Sequence, residues 1–277
     1  MQEQRVLIAG CGDIGTRLGL KLAAEGAQVF GLRRTINQLP DGIHGIAADM
    51  ADPASLANLP ECDYLFFTAA AKSREPGVYR QTYVDGLRNL LAALPSPPRH
   101  LFVTGSTGIY HQHEHDWVDE QSATDPTTDS GRCLLESEQL ALHSGIPATI
   151  VRFSGIYGPG RDHLQRRVLE GIAAPAEPLH YSNRIHRDDC VGVLRHLLQL
   201  HQDGHALKPV YLASDDAPTP IHEVMEWMAE QLGVTITRRE QVRRGGSKRC
   251  SNRRLRASGY RFQYPDYQSG YRALLQR

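Results

Sequence analysis

The sequence predicts an α/β protein with a doubly wound parallel sheet and a smaller lobe towards the C-terminal end. Short apolar runs alternate with amphipathic segments through the first half of the chain, which is the pattern of successive β-α-β units. A glycine-rich turn joins the first apolar run to the first amphipathic segment, as is typical of such units. After residue 153 the alternation becomes less regular, which predicts the change to a second lobe.

The elements can be placed from these patterns. Strands are predicted at residues 6–9, 28–32, 45–47, 64–68, 101–104 and 148–153, and helices at 15–25, 79–94 and 132–143. Gly26 and Gly145 follow two of these helices, where the left-handed conformation that glycine tolerates is often needed. Further elements are predicted at 164–171, 188–201, 210–213, 220–232 and 235–238. We therefore expect a first domain at 1–155 and a smaller lobe at 156–277, of which about 185–213 returns to the first sheet.

Composition excludes several classes of protein. Lysine plus arginine and aspartate plus glutamate number 31 each, so no overall field attracts nucleic acid or an anionic membrane. The five cysteines are scattered without the spacing of a disulfide framework or a zinc site. A strand starts too early to leave room for a signal peptide, and no apolar run reaches the roughly 18 residues of a membrane span. We expect a cytoplasmic protein with reduced thiols.

The glycine-rich turn has the spacing that holds a dinucleotide. Gly10, Gly12 and Gly15 form G-x-G-x-x-G directly between a predicted strand and a predicted helix. The first glycine permits the tight turn, the second lets a pyrophosphate approach, and the third lets helix and strand pack closely. Together with Asp13 and Ile14, whose amides open the helix, these residues are the predicted phosphate site. The alternative is a turn that is rich in glycine for backbone reasons alone.

The end of the second predicted strand indicates which dinucleotide is preferred. An NAD-binding protein usually has an acidic residue there to accept hydrogen bonds from the ribose, whereas this chain has Arg33 and Arg34. Two guanidinium groups can bind a 2′-phosphate, so NADP(H) is predicted over NAD(H). The alternative is that both arginines are solvated surface residues.

Several motifs, taken together, resemble a known family. They are T-G-S-T-G-I-Y at 104–110, R-F-S-G-I-Y-G-P-G at 152–160, I-H-R-D-D at 185–189, Y-V-D-G-L-R-N-L-L at 83–91 and Y-L-A-S-D at 211–215. With the glycine turn they follow one another as in the extended short-chain dehydrogenase/reductases, the NAD-dependent epimerase/dehydratase group. The resemblance implies a Rossmann fold. It also implies further cofactor contacts along the dinucleotide, from Asp49, Met50, Thr68, Ala69, Ala70, Ala71, Phe153, Gly155 and Ile156.

The same resemblance implies hydride chemistry with an incomplete set of catalytic residues. The family uses a serine, a tyrosine and a lysine four residues after the tyrosine, and Ser106 occupies the serine position. Aligned on Gly131 and Glu138, Ser130 replaces the tyrosine and Leu134 replaces the lysine. A serine hydroxyl is too weak an acid to replace a phenol, and leucine has no polar group. The chain therefore resembles the atypical members, which keep the cofactor fold and often lack this pair.

If catalysis survives, another acid or base must line the same cleft. Tyr110, His111, Tyr157 and His186 are candidates by position, and Tyr110 joins Ser106 as a candidate catalytic residue. Both tyrosines also belong to motifs that the family keeps, so packing or substrate contact is the competing interpretation.

Two charged segments admit more than one interpretation. His111, His113 and His115 alternate with Glu114 and Asp116, which suggests metal ligands, although the family comparison favours an exposed loop and no metal site. Residues 238–256 contain nine basic side chains against one acid: Arg238, Arg239, Arg243, Arg244, Lys248, Arg249, Arg253, Arg254 and Arg256. This segment either binds an anionic small molecule such as a nucleotide sugar or is a solvated loop. Nucleic acid is not expected, because aromatic residues are not interleaved.

Two functions therefore compete. The first is an NADP(H)-dependent enzyme, an oxidoreductase or epimerase-type protein with an altered proton donor. The second is a non-catalytic NADP(H)-binding sensor or scaffold. The missing tyrosine and lysine favour the second, and Ser106 with the complete 152–160 motif favours the first. The resemblance further implies a homodimer that packs through residues 79–94 and 132–143.

Overall fold

A computed structural model of the 277-residue chain describes residues 4–73, 75, 77–241 and 246–275. These residues form two compact units. The first contains the described residues up to Ile109, with Thr124–Arg152 and Val191–Tyr211. The second contains Tyr110–Ala123, Phe153–Cys190 and the described residues from Leu212 onward.

The strands of the described residues lie throughout the chain. In chain order they are β1 (Arg5–Ala9), β2 (Gln28–Arg33), β3 (His44–Ala47), β4 (Tyr64–Phe67), β5 (His100–Ser106), β6 (Glu114–Val118), β7 (Ala148–Phe153), β8 (Gly155–Tyr157), β9 (Ile172–Ala173), β10 (Tyr181–Ser182), β11 (Arg184–His186), β12 (Val210–Ala213), β13 (Thr219–Pro220), β14 (Arg238–Arg239) and β15 (Ser247–Cys250).

The helices alternate with the strands in the first half of the chain. They are α1 (Asp13–Ala24), α2 (Gly86–Ala92), α3 (Asp129–Leu142), α4 (His163–Leu169), α5 (Arg187–Gln202), α6 (Ile221–Leu232), α7 (Arg253–Ala257) and α8 (Tyr267–Leu275). A π-helical segment, Arg80–Asp85, leads directly into α2. Among the residues described, no helix has both the length and the apolar character that crossing a membrane requires.

The central sheet confirms the predicted fold class. Seven strands lie in the order β12-β7-β5-β4-β1-β2-β3, and β1 pairs in parallel with both β2 and β4. Six of these strands were expected to form the doubly wound sheet, and β12 adds a seventh. The direction of winding reverses between β1 and β4, which is the switch point of a Rossmann fold. Ligands of such sheets bind outside the carboxyl ends of the strands at this point.

The strand sequences explain why the sheet is buried on both faces. All four residues of β4 are buried, as are the last four of β1, because helices cover both faces of a parallel sheet. Phe66 of β4 stacks on Phe102 of β5 with ring centroids 4.7 Å apart. A large apolar cluster of the first unit contains buried residues from several of its strands and from α2.

Local capping explains where two helices begin and end. The Thr128 side chain accepts a hydrogen bond from the Gly131 amide, so α3 begins at Asp129, three residues before the predicted start. Gly26 and Gly145 have φ angles of +91° and +80°, which confirms the left-handed conformation predicted for both. These glycines end helical segments that β-branched or bulky residues could not end in this way.

The second unit contains strands that the sequence patterns do not predict. The segment around His115 was expected to be an exposed loop, but Glu114–Val118 forms β6 and pairs in parallel with β15. The pairing partner is more than 120 residues away, and neither strand shows apolar alternation. The strand expected at 235–238 is instead the short β14 at Arg238–Arg239, which pairs with β9. Only contacts that are remote in sequence specify these two strand pairs.

A histidine lies buried at the start of β5, at the end of the sheet opposite the carboxyl ends. His100 is 5% exposed, and its Nε2 lies 2.9 Å from the Thr149 hydroxyl. That hydroxyl donates to the Lys208 carbonyl at 3.3 Å, so the imidazole Nε2–H is the donor to Thr149. Burial, with a smaller contribution from His201, lowers the pKa of His100 from 6.5 to about 4. The ring is therefore neutral in the folded protein at neutral pH.

We expect His100 to make the protein less stable in mild acid. The unfolded chain binds a proton near pH 6.5, whereas the folded chain resists protonation until about pH 4. Stability should therefore be fully present above pH 6.5 and fall by up to roughly 3 kcal/mol as the pH drops towards 4. Urea unfolding at pH 7.5, 6.0 and 5.0 would measure this loss.

His100→Gln keeps a donor for Thr149 but does not titrate, so its stability should fall much less between pH 7.5 and 5.0. An equal acid-induced loss in the native protein and in this variant would contradict the assignment. His143→Gln on the exposed end of α3 is the matched control, because its C-cap position at the helix end is open to solvent. That variant should retain the full acid-induced loss.

Candidate functional site

Gly10 forms a turn that no other residue can form there. Its φ is +79°, and a Cβ built on it would lie 2.4 Å from the Cα of Ala69. The amides of Gly10 and Cys11 both donate to the Leu32 carbonyl at 3.0 Å, which fixes the turn between β1 and α1 against β2. Gly10 therefore allows the segment after β4 to approach the turn closely, and its left-handed conformation also requires glycine.

The next two glycines of the motif have different surroundings. A Cβ on Gly15 would lie 2.6 Å from the Thr68 hydroxyl and 2.9 Å from a methyl of Ile8, so Gly15 lets α1 pack tightly on the sheet. A Cβ on Gly12 would meet only the Gly10 carbonyl oxygen, at 3.8 Å. The space in front of Gly12 is therefore open. This difference matches the roles that the motif assigns to its second and third glycines.

The start of α1 has the features of an anion site. Helix α1 begins at Asp13, and the N-cap residue Gly12 makes no side-chain capping bond. The first-turn amides of Asp13, Ile14 and Gly15 carry the positive end of the helix dipole. Open space at Gly12 together with this helix end fits the pyrophosphate of a dinucleotide.

The two arginines predicted to select the cofactor lie at the end of β2. Arg33 Nη2 donates to Gln38 Oε1 at 2.8 Å, and Arg34 Nη1 lies 4.0 Å from Asp49 Oδ2. The Arg34 side chain is 54% exposed, so at this separation its charge is only weakly neutralised. Both guanidinium groups remain near the surface and keep donors that a phosphate could accept from.

The predicted adenine and dinucleotide contacts are held by further hydrogen bonds. Asp49 Oδ1 accepts from the Ala51 amide at 3.0 Å, and the Met50 carbonyl accepts from the Asn89 side chain at 2.9 Å. The Ala71 amide donates to the Tyr83 hydroxyl at 3.2 Å. Residue-by-residue reasoning did not assign roles to Tyr83 and Asn89. Both belong to the 83–91 motif, which was the available signal.

The region after β4 is less enclosed than the strand itself. Thr68 and Ala69 are buried, whereas Ala70 is exposed and Ala71 is half-buried. The Thr68 hydroxyl donates to the Gly10 carbonyl at 3.0 Å, which joins this segment to the glycine turn. The first unit thus brings together the glycine turn, the arginines and the segment after β4 at the carboxyl ends of its strands.

Ser106 ends β5 near the start of α3. Its hydroxyl accepts from the Gly108 amide at 3.1 Å. A Cβ on Gly131 would lie 3.4 Å from the Gly108 carbonyl oxygen, so the first turn of α3 lies beside this segment. In that turn the Ser130 hydroxyl lies 3.3 Å from the Thr128 hydroxyl, and Leu134 is half-buried. Neither residue offers a phenol or a cation to the Ser106 segment.

A buried ion pair between α3 and β7 packs against β5 at Gly105. The Glu138 carboxylate accepts from Arg152 Nη2 at 2.8 Å and from Arg152 Nε at 3.1 Å. Their side chains are 2% and 7% exposed. A Cβ on Gly105 would lie 2.7 Å from Glu138 Oε1, so the strand passes directly over the carboxylate. Glu138 was used only to align the motif, and its partner was not predicted.

The remaining candidate residues belong to the second unit. The Tyr110 hydroxyl donates to the Asp119 carbonyl at 2.7 Å, and the residue is 4% exposed. Tyr157 is also 4% exposed, and burial raises the pKa of its phenol well above the ordinary value of 10. His186 is 2% exposed and accepts from the Asp188 amide, and its ring lies 4.0 Å from that of Tyr264. These contacts favour packing roles for the three rings.

The predicted nicotinamide segment also lies in this unit. Phe153 is buried at the end of β7, and the half-buried Gly155 and Ile156 form β8. Strand β8 pairs in parallel with β11, so Ile156 lies opposite Ile185. The two motifs at 152–160 and 185–189 are therefore neighbours. His111, the fourth candidate acid or base, has an exposed side chain.

The basic segment is partly neutralised by acids from elsewhere in the chain. Arg239 pairs with Glu226 at 2.6 Å, Arg256 with Asp216 at 3.3 Å, and Arg254 with Glu120 at 3.6 Å. The Lys248 amine donates to the Tyr110 carbonyl at 3.1 Å. Arg243 and Arg244 lie outside the described residues. Three acids from outside the segment thus match half of its described excess of six basic residues.

The histidine-rich segment does not form a ligand cluster in the part of the chain that is described. His115 Nδ1 lies 2.7 Å from the Ser247 hydroxyl, and the exposed His113 lies 3.9 Å from Glu114. Across the described ranges, no three His, Cys, Asp or Glu side chains group as metal ligands would. The segment is instead part of the strand pair β6 and β15.

Comparisons with known proteins cover nearly the whole chain. Residues 6–203 match the model of the NAD-dependent epimerase/dehydratase family. Protein YeeZ of Escherichia coli K12 is 30% identical, and the match covers 95% of this chain and 97% of YeeZ.

Solved structures resemble the chain as well. A Methylobacillus flagellatus protein with the provisional name of NAD-dependent epimerase/dehydratase is 38% identical, with a TM-score of 0.84 over 99% of this chain and 98% of its own. The UDP-glucose 4-epimerase of Thermus thermophilus, solved with NAD, shares the fold at 20% identity, with a TM-score of 0.81 over 99% of this chain and 98% of its own. The chain belongs to the NAD-dependent epimerase/dehydratase family.

Proposed function

We propose that the protein binds NADP(H) in preference to NAD(H) and acts as an oxidoreductase or epimerase-type enzyme with an altered proton donor. The open space at Gly12, in front of an α1 end without a side-chain cap, is the observation that carries the proposal. Arg33 and Arg34 at the end of β2 support NADP(H), because a 2′-phosphate gains charge-assisted hydrogen bonds there.

Each part of the candidate site in the first unit would have a separate role. The first-turn amides of α1 would hold the pyrophosphate, and Arg34 would pair with the 2′-phosphate. The Ser106 hydroxyl would donate a hydrogen bond to the carbonyl oxygen of a substrate and so stabilise negative charge that develops on that oxygen. When bound, NADP(H) would supply or accept the hydride. The substrate is proposed to be a small molecule, with a nucleotide sugar or another anionic compound as the first class to test.

A non-catalytic NADP(H)-binding role is the second candidate function. It is favoured by the first turns of α3, which lie beside the Ser106 segment at Gly131 and carry Ser130 and Leu134 in place of an acid and a cation. NADPH oxidation measured with a panel of aldehydes, ketones and nucleotide sugars separates the two. Turnover that is lost in Ser106→Ala supports the enzyme. Tight NADPH binding without turnover across the panel supports the sensor or scaffold.

We expect Gly12→Ala to separate dinucleotide binding from folding. A Cβ at this position meets only one atom, at 3.8 Å, so the free energy of unfolding should change by no more than about 1 kcal/mol. The same methyl would occupy the space that the pyrophosphate needs, so NADPH affinity should fall at least about 100-fold. Calorimetric titration and urea unfolding measure the two effects. Unchanged affinity in a folded variant would remove the proposed site.

We also expect the arginines to determine the preference for the 2′-phosphate. Arg34→Ala should weaken NADPH binding about tenfold or more, because a charge-assisted hydrogen bond is worth about 1.5–3 kcal/mol. NADH binding should stay within about twofold, since NADH has no 2′-phosphate. Arg33→Ala should act in the same direction.

Arg88→Ala is the matched control for these two variants. Arg88 is 52% exposed and pairs with Asp85 at 3.0 Å, so it resembles Arg34 in exposure and charge but lies on α2. Its removal should leave both affinities unchanged. Equal NADPH and NADH affinities in the native protein would contradict the preference, while leaving dinucleotide binding itself intact.

A further inference from the structure

Strands β6 and β15 present an exposed tryptophan beside an arginine. Trp117 of β6 lies opposite Arg249 of β15 in the parallel pairing. The Trp117 side chain is 55% exposed, which makes it one of the few large apolar residues left open to solvent among those described. An exposed indole next to a guanidinium group is a common element of binding surfaces, because Trp and Arg are enriched among the residues that contribute most binding energy.

The Arg249 guanidinium is held by aromatic rings. Its central carbon lies 5.0 Å from the Trp117 ring centroid and 5.2 Å from that of Tyr181. Arg249 Nε donates to the His115 carbonyl at 2.8 Å. Two cation–π contacts and one backbone hydrogen bond fix the plane of the guanidinium and leave its Nη groups as donors.

The charge of Arg249 is not matched by an acid. Within the described part of the chain, Arg239, Arg254 and Arg256 each pair with a carboxylate, but no carboxylate pairs with Arg249. A half-buried, oriented guanidinium without a counter-ion favours a bidentate anion, such as a carboxylate. Arg249 therefore differs from Arg239, Arg254 and Arg256 in the same segment.

The backbone that holds this group is strained. His115 has a φ of +61°, a left-handed conformation that costs a residue with a side chain about 1 kcal/mol or more. Its Nδ1 lies 2.7 Å from the Ser247 hydroxyl, whose oxygen also accepts from the Tyr181 amide at 2.7 Å. These hydrogen bonds keep the His115 carbonyl in contact with Arg249. They also keep Tyr181 beside the guanidinium. Strain that persists because its surroundings fix it is typical of functional sites.

We propose that Trp117 and Arg249 form a binding site for a small planar aromatic anion. The aromatic ring of the ligand stacks on the open part of the indole, and its carboxylate accepts hydrogen bonds from the guanidinium. Tyr181 and His115 position Arg249 and do not contact the ligand. The site lies within the second unit and needs no dinucleotide, so its failure would leave the proposed NADP(H) function untouched.

The experiment uses three ligands that separate the two recognised features. Benzoate has the ring and the charge, benzamide has the ring alone, and cyclohexanecarboxylate has the charge alone. The full-length protein in the Trp227→Phe background has Trp117 as its remaining tryptophan, so quenching of fluorescence reports on that residue. Benzoate should quench with one saturable site per chain and bind about tenfold or more tightly than either of the others.

Substitutions then identify the residues that bind. Arg249→Lys keeps the charge but loses the planar fork, and Trp117→Leu removes the ring at a position that is 55% exposed. Calorimetry should show that each variant weakens benzoate binding about tenfold. Arg272→Lys is the matched control, since Arg272 lies 5.9 Å from the Trp227 ring in the same unit. Its benzoate affinity should not change.

Three results would contradict the proposed site. One is the absence of saturable benzoate binding to the native protein. Another is benzoate affinity that both Trp117→Leu and Arg249→Lys leave unchanged. Because Trp117→Leu changes an exposed side chain, a folding defect in Arg249→Lys would not prevent a decision. Equal binding of benzamide and benzoate would also contradict the role given to the guanidinium.

Discussion

Gly10→Ala is expected to destabilise the protein by at least about 2 kcal/mol and to abolish dinucleotide binding. The φ of +79° costs an alanine about 1–2 kcal/mol. The new methyl would also lie 2.4 Å from the Cα of Ala69, which is backbone and cannot rotate away. Relieving that contact must move the turn or the segment after β4, and both belong to the proposed dinucleotide site. Urea unfolding and NADPH calorimetry would measure the two losses.

Gly26→Ala is the matched control for this prediction. Gly26 has a φ of +91°, but a Cβ built on it would meet nothing within 4 Å. The variant therefore retains the conformational cost and lacks the clash, so it should lose only about 1 kcal/mol and bind NADPH normally. If both variants lost the same stability, the close approach of Ala69 would not be the cause.

The first unit could be predicted because its signals are local. The residues of β1, β4 and β7 form apolar runs, and the helices between them begin and end at capping residues such as Thr128 and Gly26. The G-x-G-x-x-G motif lies at the turn where its geometry is required, so Gly10, Gly12 and Gly15 could each be given a role from sequence. The fold of this unit can be predicted from sequence because its hydrophobic pattern, its helix-capping residues and its turn residues all indicate the same structure.

The second unit could not be predicted to the same degree, because its contacts are remote in sequence. Strand β6 lacks apolar alternation and is specified by its pairing with β15, which is more than 120 residues away. The charge excess from residue 238 onward is partly matched by Glu120, Asp216 and Glu226, none of which lies in that segment. Local composition alone therefore overstated the charge that an anionic ligand would meet.

The sequence proposes the turn and the arginines of the candidate site but not the residues that pack against them. The turn and the arginines follow from a motif and from one reversed charge at the end of β2. The Tyr83 contact to Ala71 and the carboxylate beneath Gly105 depend on how α2 and α3 pack on the sheet. A sequence pattern can place a residue on a helix, but the partner across the packed layer depends on the tertiary structure.

Glu138→Gln is the second change for which we expect a large loss, about 3–5 kcal/mol of unfolding free energy. Glutamine keeps the volume and some hydrogen-bonding capacity but removes the charge, so the buried Arg152 guanidinium loses its counter-ion. Since β5 passes directly over this carboxylate at Gly105, the Ser106 segment should also become less ordered. Urea unfolding measures the loss of stability, and hydrogen exchange in β5 measures the local effect.

Glu136→Gln on the same helix distinguishes burial of the pair from the mere loss of a charge. Glu136 pairs with Arg80, but the two side chains are 41% and 51% exposed, so this change should cost less than about 1 kcal/mol. Combining Glu138→Leu with Arg152→Met should recover most of the stability that Glu138→Gln loses, because the cost arises from the unpaired charge. If the double variant is no more stable than Glu138→Gln, the hydrogen bonds of the pair, and not its charge balance, hold β5 in place.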